Sequence, residues 1–215
     1  MTAPGDLEAY VQTIERHFRT WRGAEHVLSP KDFALARSWH EAGLPLANVL
    51  VGIDRAFESD PQASSLAFCR RRIEELADGL STPAKSGGRE TVPLSTVEEA
   101  LLGLEERLLE LSAEAPGVFS LVLPHVRELR DLVAVAARPN WDYLRAKLRE
   151  IDEAVGAAAP QALDPESAKD ILAEGARSSE RHQGRVDAAS LAAAVLRLTR
   201  SRAREKLRLP RVSVL

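Results

Sequence analysis

Apolar side chains recur along this chain at intervals of three and four residues, with charged and polar residues between them. That spacing predicts amphipathic helices almost throughout. Over residues 6–22, Leu7, Tyr10, Val11, Ile14, Phe18 and Trp21 form one stripe, and Gly23 is placed to end the helix. Ser29-Pro30-Lys31-Asp32 then reads as a helix start, with Ser29 as N-cap, Pro30 at the first helical position and Asp32 near the positive end of the dipole. Phe33, Ala36, Trp39 and His40 follow on one face. Gly43 suits the residue just past the helix end, and Pro45 opens a further helix carrying Leu46, Val49, Leu50, Ile53 and Phe57. The two form a helical corner of the helix-turn-helix kind. Pro61 marks another break or a first helical position, and a helix follows over 62–79 with Leu66, Cys69, Ile73 and Leu76 inward.

Residues 81–95 lack apolar periodicity and contain Pro83, Gly87, Gly88 and Pro93, which predicts a flexible linker. Beyond it, Val97, Ala100, Leu101, Leu104, Leu108 and Leu111 mark a helix capped by Ser95 or Thr96. Another is expected over 118–137, where Pro124 either kinks the helix or marks its true start. A helix over 141–158 carries Leu144, Leu148, Ile151 and Val155 inward. A last stretch, opened by Asp164 and Pro165, extends to about Leu207 with a bend near Gly184. The expectation is an all-α protein: an N-terminal helical domain at 1–80, a linker at 81–95, and a helical bundle at 96–215 ending in a long basic helix.

Composition agrees with the pattern. Hydrophobic residues make up 45% of the 215, enough for a core, while aromatics are only 5% and β-forming side chains are scarce. The net charge of −3 is unevenly spread: residues 177–215 carry 10 basic and 3 acidic side chains on an otherwise acidic chain. Such asymmetry points to an acidic partner, or to the acidic middle of the same chain. The single cysteine, Cys69, cannot form an internal disulfide and falls on an apolar face, where a buried inert thiol is expected. No secretory signal or membrane-length apolar run is visible, and the reading is a cytoplasmic protein without a membrane partner.

Local motifs for chemistry are absent. No glycine-rich phosphate loop occurs, and His17, His26, His40, His125 and His182 show no helical metal-site spacing with a third ligand nearby. The acidic pairs Glu98/Glu99, Glu105/Glu106 and Asp152/Glu153 lack the Glu-x-x-His partners of di-iron bundles and read as solvated faces. No catalytic residue, metal ligand or cofactor is assigned, and a non-enzymatic protein is expected. The binding candidates are basic. Arg197, Arg200, Arg204 and Arg208 repeat at three- or four-residue spacing and form a stripe on one helix face, continued by Arg211, which suits phosphates or carboxylates. Arg70, Arg71 and Arg72 are a second cluster, but adjacent helical residues point about 100° apart and cannot make one flat patch.

The series Leu28-Ser29-Pro30-Lys31-Asp32, Trp39, Gly43, Val49 and Ile53 resembles the helical repeat of DnaD-type primosome proteins, over residues 28–57. No winged-helix domain with strands precedes it, which departs from that family. The resemblance implies a DNA-replication accessory role, with the basic C-terminal region as the DNA contact. The same segment, with the Leu-Pro-Arg-Val-Ser ending, also looks like uncharacterised bacterial helical proteins. The leading expectation is an adaptor that binds a protein partner or nucleic acid through the arginine stripe. The alternative is a helical scaffold subunit that assembles as a homo-oligomer.

Overall fold

A computed structural model describes residues 4–22, 27–60, 65–77, 92–136 and 139–213. The protein is all-α: these residues form nine α-helices and no strand beyond one isolated bridge between Gln183 and Val186. The helices are α1 (Pro4–Arg22), α2 (Pro30–Glu41), α3 (Leu46–Ser59), α4 (Leu66–Ala77), α5 (Leu94–Glu114), α6 (Leu123–Val135), α7 (Trp141–Ala158), α8 (Pro165–His182) and α9 (Ala188–Lys206). Among the described residues no helix is long and apolar enough to cross a membrane. The breaks expected at Gly23, Pro61 and Gly79, and the linker except for 92–95, lie outside the described residues.

The capped corner forms as its residues dictate. Ser29 Oγ accepts the Asp32 N–H at 3.2 Å, and Gly43 takes φ +71°, a left-handed conformation costly for a side chain. Asp32 does more than favour the dipole: its Oδ1 accepts the Leu66 N–H at 2.8 Å and so caps α4 as well. Pro124 lies in the first turn of α6, so it marks the start rather than a kink. The last stretch is broken rather than bent. Gly184 takes φ +75°, and Asp187 starts α9 by accepting the Ser190 N–H at 2.8 Å. Two local stop-and-start signals therefore outweigh a continuous apolar period.

The chain divides into two compact units, one formed by the described residues of 1–85 and 174–198, the other by those of 86–173 and 199–215. The C-terminal segment does not all join one bundle, because Leu191, Ala194 and Leu198 pack with Ala47, Val51 and Leu76 of the first unit. In that unit α3 is the central helix, and every residue from Ala47 to Phe57 is buried. Phe18 meets Phe57 edge to face at 5.5 Å, and Trp21 stacks on Phe57 at 5.3 Å. Helices α3 and α4 touch backbone to backbone at Gly52, where a Cβ would stand 2.8 Å from Ile73 Cα.

The second unit has its own core, from Val97, Leu101, Leu104 and Leu108 of α5 to Val126, Leu148 and Val155. Full burial of each such side chain contributes about 1.5–3 kcal/mol. Leu209 and Val212, beyond α9, belong to this core, so the tail docks on its own unit.

Candidate functional site

The arginine series does not present one face to solvent. Arg204 is buried: its Nη2 donates to Asp152 Oδ1 at 2.8 Å and to the Pro210 carbonyl at 2.5 Å, and its Nη1 to the Asp152 carbonyl at 2.9 Å. Asp152 also accepts the N–H groups of Val212 at 3.1 Å and Ser213 at 2.6 Å. Arg204 is therefore a structural clamp for the tail. Arg197 donates to Asn48 Oδ1 at 3.3 Å, and Arg211 to Ser201 Oγ at 3.4 Å. Arg200 is half-buried, whereas Lys206 and Arg208 are exposed; among the described residues no ion pair engages these three. Arg208 also has φ +53°, the one positive φ outside glycine among the described residues.

The second cluster is spent on its own helix. Arg70 pairs with Glu74 at 2.6 Å, while Arg71 at 3.3 Å and Arg72 at 3.2 Å share Glu75. Glu75 also pairs with Arg55 Nη1 at 3.2 Å, and that guanidinium is fully buried. Of the acidic pairs, Glu105 is buried and accepts Arg127 Nε at 2.6 Å and Arg130 Nη1, so it bridges α5 to α6 instead of facing solvent.

Within the first unit the structure gathers residues that no local motif joined. His17 on α1, Asp54 on α3 and His182 at the end of α8 meet in the interior, each 3% exposed or less at the side chain. His17 Nε2 lies 2.7 Å from Asp54 Oδ1, and His182 Nε2 lies 2.7 Å from Oδ2. The two rings are edge to face, with centroids 4.6 Å apart. Trp21 Nε1 donates to Oδ1 at 3.0 Å, and Arg181 Nη1 lies 2.8 Å from Oδ2. The Arg181 guanidinium also stacks 5.0 Å over the Trp21 ring and stands 3.5 Å from Glu58. Because the carboxylate only accepts, each imidazole presents its Nε2 to it. Both Nδ1 atoms lack a partner among the described residues.

The electrostatics follow from this arrangement. Burial alone would raise the Asp54 pKa, but the hydrogen bonds from His17 and His182 outweigh it and hold the carboxyl well below the usual range. For His17, burial lowers the pKa by more than the Asp54 hydrogen bond raises it, so the neutral ring is favoured. Burial, followed by the nearby Glu174 carboxylate, pushes Glu58 up. Three residues of two metal-ligand types, imidazole and carboxylate, thus offer donor atoms that all lie within 4.8 Å of one another. The sequence carried one hint of this centre. Asp54 and Arg55 sit mid-helix where apolar residues occupy the other faces, so burial of a charge could have been read there.

Comparison with known proteins adds little chemistry. No curated protein and no solved structure matches the chain. A family model described as "Uncharacterised protein" matches residues 9–84, well under half of the chain. That span is similar to the family over the stretch holding His17, Asp54 and the 28–57 corner, and its description adds nothing to the DnaD-type resemblance.

Proposed function

We propose that this protein is a non-enzymatic helical interaction protein that engages a polyanionic partner through the basic end of α9. Arg200, Lys206 and Arg208 are the contact residues. The observation that carries this reading is that no ion pair engages Arg200, Lys206 or Arg208 among the described residues, with Lys206 and Arg208 exposed. Arg197, Arg204 and Arg211 leave the contact set, because each already serves an internal acceptor. The single, buried Cys69 suits a reducing cytoplasm.

The DnaD-type resemblance of residues 28–57 makes duplex DNA the first partner to test. Fluorescence anisotropy of labelled duplex against rising salt should show affinity falling with a log–log slope of about 0.9 per phosphate contacted. Replacing Arg200, Lys206 and Arg208 by Ala should lower that slope by about three and weaken binding at every salt concentration. If the triple variant binds as the parent does, the basic end is not the contact.

A further inference from the structure

We propose that His17, Asp54 and His182 form a site for one divalent transition-metal ion of the zinc or iron type, held through the two Nε2 atoms and the Asp54 carboxylate. The donor set is the first argument. Two imidazoles and one carboxylate suit such ions and are poor for calcium or magnesium, which take oxygen ligands.

Geometry is the second. The three residues come from three separate elements, α1, α3 and the end of α8, yet their donor atoms all lie within 4.8 Å of one another. Both rings turn the same nitrogen inward, each 2.7 Å from one carboxylate oxygen. A tetrahedral ion with bonds of about 2.0–2.2 Å keeps neighbouring ligand atoms roughly 3.4 Å apart, so each 2.7 Å His–Asp54 pair opens by roughly 0.7 Å to admit it. Three protein ligands leave one coordination position.

The surroundings of the carboxylate are the third. Ligating carboxylates are themselves hydrogen-bonded by an outer shell that fixes their orientation. Trp21 Nε1 fills that role on Oδ1 at 3.0 Å, while Arg181 Nη1 stands 2.8 Å from Oδ2 as an ion-pair partner. Arg181 is a positive charge beside the ion, and it is shared with Glu58 at 3.5 Å. The α3 backbone behind Asp54 is buried from Ala47 to Phe57, so the ligand is held on a rigid element.

The competing state is the same triad without an ion, held by N–H groups alone. The experiment separates the two. Full-length protein is unfolded with chelator, refolded with Co2+ or Zn2+ and freed of excess ion. The proposal expects one ion per chain by elemental analysis and visible d–d absorption bands for cobalt. His17→Gln and His182→Gln each keep an N–H that can reach Asp54 but lose the ligand, so they should retain helicity and bind at least 100-fold more weakly. Wild-type protein with no stoichiometric ion and no cobalt bands overturns the proposal, as do folded glutamine variants that bind as tightly as the parent. If the variants do not fold, the ion content of the parent decides: one equivalent supports the site and none overturns it.

Discussion

Single side chains here are decided by where their charge or thiol ends up. Arg204 and Asp152 are each about nine-tenths buried, and together they satisfy the Pro210 carbonyl and two tail N–H groups. Arg204→Ala leaves a buried carboxylate without its cation, so urea unfolding should show a loss of about 3–5 kcal/mol. In a double-mutant cycle with Asp152→Ala the two losses should fall short of additive. Cys69 gives a pH test. Burial, helped by the Asp32 charge, pushes its thiol up to about 12, against about 8.5 in an unfolded chain. Between those values the unfolded chain has released a proton that the folded one keeps, so stability falls as pH rises through that window. Denaturation midpoints should fall between pH 8 and pH 10 in the parent, and by less in Cys69→Ala. The arginine spacing was legible in the sequence, but the fate of each arginine was not. Periodicity places Arg197, Arg200, Arg204 and Arg208 near one another; only the fold puts Asp152 under Arg204.

At the scale of elements, the helix starts at Ser29 and Asp164 were readable because caps are local, but the cap expected at Ser95 or Thr96 is not one: α5 begins at Leu94 after Pro93 with no side-chain cap. Ser29, Asn140, Asp164 and Asp187 each accept an N–H three residues on, and the choice of residue is the signal. The split of 164–207 into α8 and α9 was under-read, since its apolar residues keep a helical period across the Gly184 turn. The burial of α3 from Ala47 to Phe57 was hidden for a related reason: a stripe was visible, but Asn48, Asp54 and Arg55 made the other faces look exposed. Gly52 tests the packing of that helix. Ala is the better helix former by about 1 kcal/mol, yet its Cβ would meet Ile73 backbone, which cannot swing aside. Gly52→Ala should therefore destabilise by about 1–3 kcal/mol in thermal or urea unfolding.

Over the whole molecule, the His–Asp–His centre was illegible because its members stand far apart in the chain. His17 and Asp54 are 37 positions apart, and Asp54 and His182 are 128 apart. Spacing rules read ligands carried on one helix, not ligands supplied by three. The charge asymmetry was legible, but its destination was not, since residues 174–198 and 199–213 serve different units. The basic surplus is thus partly consumed at home, by Asp54, Glu58, Asn48 and Asp152. Arg177, Arg185, Lys206 and Arg208 stay exposed.

The discontinuity of the first unit bears on how the chain is made. Domains generally fold as they leave the ribosome, N-terminal part first. Helices α1 to α4 are synthesised early, but Leu191, Ala194 and Leu198, which cover Ala47, Val51 and Leu76, arrive more than a hundred residues later. Asp54 likewise waits for Arg181 and His182. During elongation a nascent chain carries an uncovered apolar face and a carboxylate without its His182 hydrogen bond and its Arg181 ion pair. That interval is when this protein is most exposed to chaperones and proteases.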